Sequence, residues 1–221
     1  MKFKILILFV LLANNMEAQE VFSPTMVIVN SNELIISDDL KVEAKDYVKN
    51  GMTNEEKKDF KERNSAEGEN FEIKSKYELK FLENQDIATQ ISFGLNYFLS
   101  YKFFEYFQQL LIYPIKESKN SNLEDLINIS ETHNVNWVVN ISRIEIYSTD
   151  NQKKGKMNFQ LYNQKTNEIV IDKEILTDDK NPGLEFTCQE GTIDCVINNS
   201  VSYMSYEILD FMRNHQDYWR D

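Results

Sequence analysis

The chain is poor in the residues on which much enzyme chemistry depends. Only six glycines occur in 221 residues (Gly51, Gly68, Gly94, Gly155, Gly183 and Gly191), and the closest two are eight apart. A dinucleotide fingerprint or a P-loop needs glycines clustered where the backbone turns around a phosphate, so both are excluded. The nucleophile-elbow pattern of hydrolases is missing as well. Histidine is limited to His133 and His215, and cysteine to Cys188 and Cys195. A metal site would therefore have to lean on carboxylates. His133 falls where a helix is expected to end, and His215 near the C-terminus of the last helix. The helix dipole favours histidine at both places and explains them without catalysis.

Acidic side chains are plentiful but not arranged as a motif. Asp178 and Asp179 with Asn181 offer oxygens for a loose calcium site, yet the EF-hand spacing is absent. Glu185 and Glu190 could pair as acid and base, although nothing separates them from other solvated carboxylates. No catalytic, cofactor-binding or metal-ligating residue is expected, and no cofactor.

Long hydrophobic runs are also scarce. The unbroken stretch Ile5 to Ala13 follows Lys2 and Lys4 and precedes Asn14, Asn15 and Met16-Glu17-Ala18. A positive start, a short apolar centre and a small residue at the cut read as a secretory signal peptide over 1–18, cleaved before Gln19. The run is far below the ~20 residues of a membrane-spanning helix, and no later segment reaches that length. No cysteine lies near the cut, so no lipid anchor is expected. The mature chain, 19–221, is expected to be periplasmic or secreted.

What is present describes a folded acidic domain. Hydrophobic residues make up 42% of the chain, with 14 Phe and 11 Tyr, which argues against disorder. The formal charge is −12; removing Lys2, Lys4 and Glu17, together +1, takes it to −13. That charge disfavours nucleic acid and anionic lipid as partners and favours solubility or a basic partner. An even cysteine pair in an oxidising compartment reads as a Cys188–Cys195 disulfide, the alternatives being two free thiols or a metal site.

Periodicity lays out an α/β (α+β) domain with a mixed, mostly antiparallel sheet and long amphipathic helices packed on it. Met26–Val29 and Leu34–Ile36 read as a hairpin or two strand pieces. From about 38 to 70 the chain is strongly charged and reads as an exposed excursion, with a short helix capped by Thr53 and Glu56. Phe71 to Phe81 alternates apolar and charged residues, the pattern of a half-buried strand. Asp86 caps a long helix whose stripe includes Ile87, Ile91, Leu95, Phe98, Leu99, Phe103 and Phe107. Its further aromatics (Phe93, Tyr97, Tyr101, Phe104 and Tyr106) allow a ligand pocket, but a core helix explains the stripe more simply.

Pro114 interrupts a short strand that Leu110-Leu111-Ile112 begins. Ser121 and Glu124 form a capping box for a helix ending near His133, with Leu123, Leu126 and Ile127 inward. A long strand follows from Val135, its apolar phase slipping at Ser142-Arg143 as a β-bulge would make it. A polar turn at Thr149–Lys156, a strand from Met157, a turn at Asn163–Glu168 and a strand from Ile169 complete an antiparallel meander. The final helix spans about Thr192 to His215.

The stretch Asn122 to Leu176 resembles the α/β domain of bacterial envelope proteins: the TolB N-terminal region, the curli-channel subunit CsgG and the penicillin-binding-protein activator LpoB. "NLEDLINISETHNV" stands as the helix before a strand "NWVVNISRIEIYS". Leu161-Tyr162-Asn163 with Thr166-Asn167-Glu168-Ile169-Val170 matches a later strand–turn–strand pattern. Asn140 and Asn167 stand where the family has glycine. The resemblance implies a non-enzymatic domain that binds other envelope proteins, and it transfers no functional residue. A small secreted hydrolase and a carrier of an apolar ligand are the alternatives.

Overall fold

A computed structural model describes residues 25–30, 33–49, 86–107, 111–116, 122–182 and 188–218. The signal-peptide stretch 1–18, the Thr53 and Glu56 cap, the strand expected over Phe71–Phe81, Ser121 and Glu185 lie outside the described residues. So do the side chains of Phe93, Tyr97, Tyr101, Phe103, Phe104, Tyr106 and Phe107.

The elements are β1 (Thr25–Asn30), β2 (Leu34–Ile36), α1 (Lys41–Lys49), α2 (Ile87–Phe107), β3 (Leu111–Lys116), α3 (Leu123–His133), β4 (Trp137–Thr149), β5 (Gln152–Asn163), β6 (Glu168–Asp178) and α4 (Ile193–Asn214). They form one mixed sheet of order β3-β1-β4-β5-β6, with β2 also paired to β4. β4–β5 and β5–β6 are long antiparallel ladders that outrun the parallel pairings of β1 with β3, β1 with β4 and β2 with β4. The α/β class with a mixed, mostly antiparallel sheet is what the periodicity predicted.

β1 and β2 do not form a hairpin. Both run parallel to β4, β1 along Trp137–Ile141 and β2 along Ile144–Ile146. They are two pieces on one edge of β4, and the break between them lies opposite its bulge. The register of β4 against β5 shifts between Ile141 and Arg143. Odd-numbered Trp137, Val139 and Ile141 and even-numbered Ile144 and Ile146 are thereby all buried in one core. The extra residue reconciles the two phases.

The meander's first turn is tighter than Thr149–Lys156. Asp150 and Asn151 alone make it, at φ 53° and 59°, the two left-handed residues of a type I′ hairpin. Gln152 to Lys156 are strand; on the face toward α4, Lys153 pairs with Glu43 and Gly155 leaves room for Val196 and Ser200. Asn167 in the second turn has φ 58° and its side chain accepts a hydrogen bond from the Tyr162 hydroxyl (2.9 Å). Pro114 lies inside β3 rather than ending it. Among the described strands β3 is the outermost on its side, where a missing N–H leaves no central ladder bond unmade.

Helices α1, α2 and α4 cover one face over the main core, and α3 covers part of the other. In α2, Ile87, Ile91, Leu95, Phe98 and Leu99 are all buried, so this part of the stripe is core. The Asp86 carboxylate caps the helix by accepting from the Thr89 N–H (2.7 Å). The cap of α3 is Asn122, accepting from the Asp125 N–H (2.8 Å). Leu123 is 40% exposed; Leu126 and Ile129 are buried, and Ile127 packs half-buried against the same cluster. Thr192 caps α4 through the Cys195 N–H (3.2 Å).

The charged stretch beginning near 38 is not wholly an excursion. Its first part, 38–49, is a short 3-10 turn running into α1, with Leu40 and Ala44 buried and Tyr47 packed on the core. Two spaced apolar residues and a tyrosine gave too weak a stripe among the charges to reveal this contact.

Candidate functional site: a groove beside the second strand

Three apolar residues, Leu34-Ile35-Ile36, continue β1 along β4 after a short break. Beyond them the Ser37 N–H donates to the Ile146 carbonyl (2.9 Å), and the Leu40 N–H to Ser37 (3.0 Å), which turns the chain into α1. One side of α1 is tied to the start of α4. The Glu43 carboxylate accepts from the Ile193 N–H (2.8 Å), one of the orphan donors of a helix N-terminus. It also pairs with the Lys153 ammonium (3.1 Å), which in turn donates to the Gly191 carbonyl. Burial raises the pKa of the Tyr47 phenol, and the charge of Asp194 raises it further. Partial burial likewise lifts the Asp194 carboxyl above its usual range.

The other side of α1 borders a groove of about 640 Å³. Leu34, Ile35, Ile36, Ala44 and Ile87 give it apolar walls, while Lys41, Lys45 and Asp86 stand at it as charged groups. Successive strand residues point to opposite faces. A cavity that touches Leu34, Ile35 and Ile36 together therefore follows the edge of β2, rather than one face. Ile35 is 39% exposed there. A volume of this size falls in the range of ligand and peptide sites. A second cavity of about 400 Å³, between β5, β6 and α4, is bordered by Tyr147, Lys154, Asp178, Lys180 and Tyr203 and is more polar.

The residues singled out in the sequence fall elsewhere. Cys188 and Cys195 come together with Cα atoms 4.8 Å apart, a disulfide-compatible placement linking the preceding loop to the first turn of α4. Cys195 is fully buried. His133 ends α3 and His215 caps α4, on opposite faces of the sheet, and the structure does not bring them together. The His215 ring stacks on Phe211 (4.3 Å between centroids) with Nδ1 3.0 Å from the Phe211 carbonyl oxygen.

Asp178, Asp179 and Asn181 are engaged in local structure. Asp178 accepts from the Lys180 N–H (3.0 Å), buried Asp179 from the Lys153 N–H (2.9 Å), and the Asn181 N–H donates to Glu190 (3.1 Å). Among the described residues no group of three or more His, Cys, Asp or Glu side chains could hold a metal. No helix among them is long and apolar enough to cross a membrane. The groove is not written in the sequence, because it depends on how β2, α1 and the start of α2 come together in space. The available signal was an apolar triplet followed at short range by Lys41 and Lys45.

No protein-family model matches this chain, and no curated protein matches it. It is similar at low level to two solved structures. One is described as a neuraminyllactose-binding hemagglutinin homolog from Helicobacter pylori, 11% identical, with a TM-score of 0.35, covering 91% of this chain and 90% of that one. The other is the hypothetical protein CT253 from Chlamydia trachomatis, 7% identical, with a TM-score of 0.31, covering 85% of this chain and 96% of that one.

Proposed function

We propose that this chain is an exported, non-enzymatic binding protein of the bacterial cell envelope, and that it docks another envelope protein. The observation that carries the reading is the apolar groove beside β2, held open to solvent on an acidic chain. An exposed apolar trough rimmed by charge is costly to keep in water unless something occupies it. The signal-peptide pattern of 1–18 and the paired cysteines support an oxidising compartment. The resemblance of 122–176 to envelope domains supports the partner class.

An affinity pull-down from the envelope fraction tests this reading. A specific protein partner should be recovered with the full chain and reduced with Ile35→Asp, which places a charge in the groove. Recovery of no partner, or of the same partners in the same amounts with Ile35→Asp, rejects it. The groove's apolar lining gives the carrier reading its one support, and delipidated protein that takes up palmitate in place of a protein partner would favour it.

A further inference from the structure

The polar contacts that fasten α1 to the start of α4 meet inside one small ring. Cys188 and Cys195, seven positions apart, bracket residues 188–195. Within that ring the chain turns at Gly191, whose φ of 78° is the left-handed region that glycine favours. The Gly191 N–H donates to the Asp179 carbonyl (2.9 Å). The Thr192 hydroxyl donates to the Gln189 carbonyl (2.7 Å) and accepts from the Cys195 N–H. These bonds hold two groups in place for α1. The Ile193 N–H donates to the Glu43 carboxylate (2.8 Å), and the Gly191 carbonyl accepts from Lys153, which pairs with the same carboxylate. The Glu43 and Lys153 side chains are 36% and 21% exposed, so water and salt weaken this pair less than one on the open surface.

Little else among the described residues holds α1. It is nine residues long, and a helix that short is not stable by itself in water. Ala44 is its one buried side chain among those described, Tyr47 is partly buried, and Val42 is 72% exposed. The turn before it stays on the sheet, because the Ser37 N–H donates to Ile146 (2.9 Å) and Leu40 is buried. An element anchored at one end and by a few bonds along its length opens locally before the domain unfolds. We infer that α1 is a hinged wall of the groove, pivoting at 37–40 and latched by Glu43 onto the ring that the two cysteines close. Releasing it withdraws Lys41, Ala44 and Lys45 from the groove and leaves Leu34, Ile36 and Ile87 in place.

The consequence for binding rests on the function proposed above, but the latch belongs to the chain alone and is tested without a partner. Amide hydrogen exchange of the full chain reads it residue by residue. Glu43→Ala should speed exchange over 41–49 and at Ile193 by about tenfold or more, and leave β4, β5 and β6 unchanged. Glu43→Gln keeps an acceptor for the Ile193 N–H and loses the charge facing Lys153, so its rise over 41–49 should be smaller. Cys188→Ser with Cys195→Ser should also speed exchange over 41–49, yet add little to Glu43→Ala, because both act through one latch.

Unchanged exchange over 41–49 in Glu43→Ala overturns the latch. An equal rise in β4, β5 and β6 means that α1 opens only with the whole domain, and overturns the hinge. A full further rise when the cysteine and Glu43 substitutions are combined overturns the role of the ring. The pull-down with Ile35→Asp bears on the binding reading alone, so the two can fail separately.

Discussion

The meander β4–β5–β6 and the corner around β2 belong to one sheet and follow opposite rules. In the meander, long ladders satisfy the backbone, α4 packs across one face, and the open face carries cross-strand pairs such as Lys156–Glu174 (2.7 Å) and the Asn140–Gln160–Asp172 relay (3.1 Å at each step). At the β2 corner the strand is three residues long, its outer edge is unpaired among the described residues, and the nearest surface is apolar. A sheet can place polar groups on a wet face at little cost, but an open apolar edge is a binding surface or a liability. The proposed binding surface lies at the β2 corner, and the regular ladders and packed face lie at the other end of the sheet.

The largest test of that contrast is Phe98→Ala. Phe98 is 2% exposed and meets the Tyr206 ring edge-on at 5.6 Å, so truncation should cost about 3–5 kcal/mol in urea unfolding. Ile35→Ser at the open corner should change stability by no more than about 0.5 kcal/mol. Comparable losses at the two sites would erase the distinction.

Cleaving the Cys188–Cys195 link comes next. Cys188→Ser with Cys195→Ser should lower stability by about 2–3 kcal/mol, the loop-closure value for so short a ring. Thiol labelling of the denatured, unreduced native protein should find no free cysteine, and two labelled thiols would reject the bond.

Gly155→Ala probes the seam between the meander and α4. A Cβ there would lie 2.7 Å from both the Thr177 hydroxyl oxygen and a Val196 methyl. Overpacking of about 1–3 kcal/mol should follow, read as a lower urea midpoint. An unchanged midpoint would mean that α4 sits loosely on β5 and β6.

The smallest effect concerns Asp194, where α1 meets α4. Its pKa is raised by partial burial, so the native state holds the proton more tightly than the unfolded chain, whose carboxyl titrates near 3.8. The stability it contributes is full below that value and is lost as pH rises through the raised native value. Asp194→Asn should remove this decline from urea midpoints measured between acid and neutral pH. A variant curve parallel to wild type would place the charge in water.

Much of the architecture was legible because it repeats. The stripe Ile87-Ile91-Leu95-Phe98-Leu99, the bulge at Ser142-Arg143 and the limits of the last helix are local patterns in which period and caps agree. The turn is narrower than Thr149–Lys156, because Lys153 and Lys154 look like loop residues until Lys153 is seen to pair with Glu43 beneath the sheet. α1 was lost among charges because its contact with the core rests on Leu40, Ala44 and Tyr47 alone.

By itself the sequence determined the class of fold and the buried stripe Ile87-Ile91-Leu95-Phe98-Leu99 of α2, since each is written in neighbouring residues. Only tertiary structure decided that β1 and β2 share one edge of β4, that Glu43 closes the start of α4, and that Leu34, Ile36 and Ile87 border one groove. Strand pairing joins residues more than a hundred positions apart, and no local period records which partner a strand will take or which edge it will leave open.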